Sequence, residues 1–207
     1  MKTQKPFLLL SSLLAVIFLA GVNIYAQTDA AKTQVPPSYE VVLQVLVGSN
    51  DAGDGTGLSP NLRPVYAQLK TNFGFSSYRL DNTFIGRIGT NGTFEYKSVS
   101  NTVGAGADSE SPTFLEWTLG GLKNAMNDKG QTAFQAEPFR FGARVPVRVS
   151  TYTDNTGKAV GNVSYESIGL TVNRVSLLEN TPTLIGTLSL PKTAGTIFLI
   201  LTVRSAQ

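Results

Sequence analysis

From residue 139 to 149 the chain reads FRFGARVPVRV. Phe139, Phe141, Ala143, Val145, Val147 and Val149 alternate without exception with Arg140, Gly142, Arg144, Pro146 and Arg148. Successive side chains of a β-strand point to opposite faces, so this stretch has one apolar and one solvated face. A helix would scatter the same residues around its circumference. Asp154-Asn155-Thr156-Gly157 supplies a turn, and residues 163–175 (VSYESIGLTVNRV) predict the antiparallel return, with Ile168, Leu170 and Val172 on one face. The second half of the chain is thereby committed to sheet.

The rest follows the same punctuation. Residues 40–47 (EVVLQVLV) and 196–203 (TIFLILTV) are apolar at nearly every position, the pattern of strands covered on both faces, and the first is expected to be central in its sheet. Runs at 78–88 and 93–100 flank Gly89-Thr90-Asn91-Gly92 and predict a hairpin. Further strands are expected at 114–119 and 183–190, an exposed loop at 98–112, and a turn with one helical turn at 120–129. One helix is signalled, with Ser59 as N-cap, Pro60 at its first position and Gly74 after its last turn. Leu62, Val65, Tyr66, Leu69 and Phe73 form its apolar stripe, and Pro64, near the fifth helical position, is expected to bend the first turn. The expected fold class is α+β, mostly β, with antiparallel sheets and one main helix.

The first 26 residues read as an export signal. Lys2 and Lys5 precede an uncharged, mostly apolar run at 7–22, and Ile24-Tyr25-Ala26 is a cleavage site before Gln27. Residues 27–38, with Pro36-Pro37, read as a flexible leader, and 39–207 as a single β-rich domain. Removal of residues 1–26 leaves 181 residues with 15 basic and 14 acidic side chains. That balance gives no electrostatic case for nucleic acid. The expected location is the periplasm, or in association with the outer membrane.

The chain contains no His and no Cys, which removes the usual neutral-pH base, the thiolate nucleophile and the commonest metal ligands. Asp51 and Asp54 in a glycine-rich loop are weak Ca²⁺ candidates, but their spacing does not match an EF-hand. No cofactor is expected. The carboxylates Glu95, Glu116, Glu137 and Glu166 lie in or beside predicted strands, yet nothing in the sequence sets two of them across one cleft, and no catalytic residue is assigned. Interaction candidates are Arg140, Arg144 and Arg148, and Trp117 with Tyr78 as the rim of a sugar-binding cleft. Residues four apart on a strand are about 14 Å apart, beyond the screening length of about 8 Å, so the three arginines hardly repel each other. Glu166 is expected to pair with one of them across the hairpin.

Phe141-Gly142-Ala143-Arg144-Val145-Pro146-Val147, a polar tip, and Tyr165-Glu166-Ser167-Ile168-Gly169-Leu170-Thr171-Val172 resemble the gate hairpin of bacterial secretins, G-x-x-[VI]-P-V followed by Y-x-x-[VI]-G-[LI]-x-L. Residues 182–188 and 196–204 are similar to the closing segment of that family, though Thr202-Val203-Arg204 lacks its proline, and so does the 182–190 stretch at its second proline position. The resemblance covers residues 139–204. It implies an oligomer-forming envelope protein, a reduced or accessory relative whose partners are copies of itself or an envelope assembly, with outer-membrane association. The residues lead to a non-enzymatic, exported structural or interaction protein; the alternative is a secreted carbohydrate- or ligand-binding β module.

Overall fold

The computed structural model describes residues 37–50, 59–101, 103, 111–153, 155–157, 159–191 and 195–206. The expected signal peptide, nearly all of the leader, and Asp51 and Asp54 lie outside the described residues. Among the described residues no helix is long and apolar enough to cross a membrane.

Eleven strands are described: β1 (Ser38–Ser49), β2 (Ser77–Gly89), β3 (Thr93–Ser100), β4 (Thr113–Gly120), β5 (Lys123–Met126), β6 (Thr132–Ala136), β7 (Phe139–Thr153), β8 (Ala159–Val172), β9 (Val175–Leu178), β10 (Thr183–Ser189) and β11 (Thr196–Ser205). They form three antiparallel sheets with strand orders β10-β11-β1-β2, β3-β4-β7-β8 and β5-β6-β9. Among the described residues the fold is mostly antiparallel sheet with one helix, as the sequence pattern implies, and the sheets do not close into a barrel.

The two strands apolar on both faces are the central pair of the first sheet. β1 lies between β11 and β2, and β11 between β10 and β1. One face, with Tyr39, Val41, Leu43 and Val45 of β1 and Ile197, Leu199, Leu201 and Val203 of β11, enters the main core. There it shares one cluster with Leu115, Trp117 and Leu119 of β4, Phe139, Phe141, Ala143 and Val145 of β7, and Phe134 and Leu177 of the small sheet. The opposite face packs Leu46, Phe198 and Ile200 against the helix residues Leu62, Val65 and Leu69. Burying each such side chain contributes about 1.5–3 kcal/mol, which is why both faces of these strands must be apolar.

The helix begins as a 3-10 turn, Pro60–Leu62, and continues as α1, Arg63–Phe73, ending on Gly74 at φ 65°. Because the α-helical part starts only at Arg63, Pro64 falls in its first turn, where the missing N–H costs nothing, and the expected bend is not needed. Ser59 makes no side-chain cap. Phe73 is 41% exposed, but its ring meets Phe198 edge-on at 4.9 Å.

Four expectations are corrected. Gly89–Gly92 is a tight turn, with Gly92 N–H donating to Gly89 O at 2.9 Å, but β2 and β3 do not pair. Asn91 N–H donates to Leu122 O at 2.8 Å and Gly121 N–H to Gly92 O at 3.0 Å, so the turn is pinned to the β4–β5 connection and passes the chain from one sheet to the other. Residues 123–126 form strand β5, and β6 follows where no strand was expected. In the 98–112 stretch Val103 is fully buried, and Thr113 Oγ1 donates to its carbonyl at 2.6 Å. The returning strand of the second hairpin ends at Val172; Val175 opens β9 in another sheet.

Asp81 is the extra residue of a β-bulge, since Val45 faces Asn82 and Leu46 faces Leu80. Its side chain is 0% exposed. Arg79 Nη1 donates to Oδ1 at 3.2 Å, and Ser100 Oγ to Oδ2 at 3.0 Å. Ser100 Oγ in turn accepts from Val103 N–H at 3.2 Å. One carboxylate thus ties the edge of the first sheet to the end of β3 in the second.

Candidate functional site

The outer face of the β3-β4-β7-β8 sheet can be built from its register. β4 pairs Thr118 with Arg140, Glu116 with Gly142 and Phe114 with Arg144. β3 sets Glu95 opposite Thr118, Lys97 opposite Glu116 and Val99 opposite Phe114. β8 sets Thr171 opposite Arg140, Gly169 opposite Gly142 and Ser167 opposite Arg144. Three rows therefore cross the sheet: Glu95-Thr118-Arg140-Thr171, Lys97-Glu116-Gly142-Gly169 and Val99-Phe114-Arg144-Ser167.

Arg140, Arg144 and Arg148 are all exposed on this face. Each is held differently. The Arg144 guanidinium lies 5.6 Å from the ring centres of both Phe114 and Tyr165, whose own centres are 5.6 Å apart. Such cation–π contacts at an exposed site attract by about 0.5–1 kcal/mol each. Arg148 lies across Gly161, where an added Cβ would sit 2.9 Å from its Nε. Arg140 stands between two threonines. Glu166, expected as a partner of the row, sits opposite Val145. Strand alternation therefore puts its side chain on the other face of the sheet.

The middle row carries no side chains on β7 and β8, and this leaves a depression over Gly142 and Gly169. It is a cavity of about 400 Å³ reached by Glu95, Glu116, Thr118, Arg140 and Thr171. A second hollow of about 210 Å³ adjoins it, between Lys97, Phe114 and Arg144. Lys97 Nζ is 3.1 Å from Glu95 Oε1. That hydrogen bond, with the charges of Glu95 and Glu116, holds the lysine above its ordinary pKa. Two of the four singled-out carboxylates, Glu95 and Glu116, thus reach one hollow, while Glu137 pairs with Arg174 elsewhere. Among the described residues no group of His, Cys, Asp or Glu could hold a metal ion.

Trp117 and Tyr78 do not rim a cleft. Trp117 is 1% exposed in the main core, and Tyr78 is 2% exposed beneath the helix, its hydroxyl donating to Leu69 O at 2.8 Å. Odd-numbered residues of β4 face inward, so Trp117 points away from the arginine row. Burial accordingly pushes the Tyr78 hydroxyl above its ordinary pKa. The sequence pattern alone does not single out Gly142, Gly169 or the place of Glu116 beside them, although a hairpin turned at 154–157 puts Gly142 and Gly169 nearly opposite each other, between Arg140 and Arg144.

No protein-family model and no curated protein matches the sequence. Among the solved structures similar to it are two of a bacterial secretin. One is the secretin-domain β-barrel of InvG from the Salmonella SPI-1 injectisome NC-base, at 12% identity and a TM-score of 0.31, covering 83% of this chain and 64% of that one. The other is the Salmonella SPI-1 type III secretion injectisome secretin InvG in the open gate state, at 10% identity and a TM-score of 0.30, covering 95% of this chain and 65% of that one. This chain therefore spans less than two thirds of the length of either. The likeness is a weak resemblance to secretin segments.

Proposed function

We propose that this protein is an exported, non-enzymatic structural or interaction component of a cell envelope, secretin-like or accessory to such an assembly, and that it associates through sheet edges with copies of itself or with that assembly. The observation that carries this reading is the β7–β8 hairpin. β7 pairs with β4 only over Phe139–Arg144, whereas its pairing with β8 continues to Thr153. The hairpin therefore runs past the β4 ladder as a two-stranded arm. Val145 and Val147 are still buried, but from Arg148 on the described side chains of β7 are exposed, and an isolated pair of strands is marginal in water without something to lie against. Pro146, two residues beyond the last residue paired to β4, marks the end of that ladder and blunts the β7 edge. β8 carries no proline over its 14 residues and, among the described residues, pairs only with β7.

Strand direction adds to this. The four strands alternate antiparallel from β3 to β8, so these two edges run in opposite directions. A second copy in the same orientation can lay its β3 along β8 and continue the antiparallel order, a head-to-tail contact that closes into a ring or extends as a filament. The test is light scattering on protein recovered after expression of the full chain. A concentration-dependent oligomer is expected, and Asn162→Lys with Ser164→Lys on the β8 edge should shift it towards monomer, as lysine protects natural sheet edges. A strictly monomeric wild type at high concentration, with no envelope partner recovered by cross-linking, would sink the proposal.

The alternative of a carbohydrate-binding module loses its expected Trp117 and Tyr78 cleft, since both side chains are interior.

A further inference from the structure

The hollow over Gly142 contains an arrangement that edge association leaves unused. Arg140 and Glu116 both line it and both are exposed. They are diagonal neighbours on adjacent strands, because Arg140 faces Thr118 and Glu116 faces Gly142. Diagonal neighbours are about 7–8 Å apart, within reach of two long side chains. Yet neither takes part in any of the ion pairs among the described residues. The other charges nearby are engaged: Lys97, which faces Glu116 across the ladder, bonds Glu95 instead at 3.1 Å, and Arg144 lies against its two rings.

The space between them is kept open by composition. A Cβ at position 142 would come within 3.2 Å of Glu116 Cγ and Oε1, so a side chain there would take up the floor of the hollow and shift Glu116 by a few tenths of an ångström or more. Gly169 beside it also carries no side chain, and the hollow of about 400 Å³ falls in the size range of small-molecule sites. The signs then select the ligand. An anion alone would meet Glu116, and a cation alone would meet Arg140. A ligand with one charge of each sign, a few ångströms apart, satisfies both.

We propose that this hollow binds a small zwitterion, a free amino acid or a short peptide with unblocked termini, its carboxylate on Arg140 and its ammonium on Glu116, above the floor of Gly142 and Gly169. Thr118 and Thr171, which flank Arg140, offer hydroxyls to the same carboxylate. The site does not depend on self-association, so either proposal can fail without the other.

The test is a titration of the isotope-labelled full chain at low salt, following the Gly142 and Gly169 amide resonances. The probes are glycyl-L-alanine, free alanine, the N-acetylated and C-amidated dipeptides, and a neutral disaccharide. Saturable shifts at both glycines are expected with the free dipeptide or with alanine, and the tighter of the two identifies peptide or amino acid. Blocking either terminus should weaken binding at least tenfold, and so should Arg140→Gln or Glu116→Gln, which alter only exposed side chains. Blocking the ligand leaves the protein untouched and so remains informative whatever the variants do. The proposal is overturned by an absence of saturable shifts, by equal binding of the blocked dipeptides, or by a disaccharide that binds at these amides equally well in both variants.

Discussion

At the scale of single residues, two positions hold the sheets together in ways that volume or charge alone would not suggest. Asp81 is buried at a bulge with Arg79 and Ser100 as donors. Asp81→Ala leaves the Ser100 hydroxyl without its acceptor and the bulge without its anchor, and should cost about 2–3 kcal/mol, read as a lowered urea midpoint. Asp128→Ala, at an exposed turn, should stay within about 0.5 kcal/mol. Gly86 is the second position. A Cβ there would sit 2.1 Å from Phe94 Cε2, and Phe94 cannot swing clear because its ring lies 5.0 Å from Trp117 and 6.4 Å from Tyr96. Gly86→Ala is therefore expected to destabilise by about 1–3 kcal/mol through overpacking, with a red shift of the single tryptophan's emission as its surroundings loosen.

At the scale of elements, the end of β11 is fastened by Glu179, which accepts from Ser205 Oγ at 2.6 Å and from Ser205 N–H at 3.1 Å. Those two hydrogen bonds hold the glutamate below its ordinary pKa. A depressed carboxylate contributes stability that is complete above its unfolded pKa and is lost as pH falls through the folded one. The Ser205 amide should accordingly exchange faster with solvent as pH drops below about 4, relative to the intrinsic rate at each pH. Glu179→Gln should abolish that extra pH dependence.

The elements also show how much could be read beforehand. Strands with strict alternation or unbroken apolar runs, β1, β7 and β11, were legible because their burial is dictated by one or two complete faces. The helix was legible from Pro60, its apolar stripe and Gly74. Strands β5 and β6 were not, since KNAM and TAFQA carry too few apolar positions to show a period; β6 is paired by β9, about 40 residues further on, and β5 by β6 alone. At Gly89–Gly92 the Asn-Gly pair specifies a local reversal but not which sheet the next strand joins, so the turn makes no β2–β3 hairpin. Of the candidate site, the arginine row was legible as a face, whereas the hollow needed the register of four strands.

At the scale of the whole molecule, the described body is a helix, a sheet, and two further sheets stacked in that order, with a hairpin arm extending from one edge. If edges join copies, the arm is where it will register. Amides at 149–153, beyond the buried Val145 and Val147, should exchange faster than those at 139–144 in dilute protein, and become protected as concentration rises, which hydrogen–deuterium exchange resolved by mass spectrometry can follow. Exchange at 149–153 that is slow in dilute solution and unchanged on concentration would mean that the arm is already covered within one chain.

One feature of the first sheet bears on how the molecule responds to load. Tyr39 pairs with Ser205, and Ala206 N–H donates to Ser38 O at 2.9 Å, so the start of β1 and the end of β11 leave the body side by side. Tension applied through whatever lies before Ser38 and after Ala206 would peel these two strands apart one ladder rung at a time, as a zip opens. Rungs broken singly yield at far smaller forces than rungs sheared together. A tether at both ends would therefore make the central pair of the sheet the first to open, although it is the most deeply enclosed.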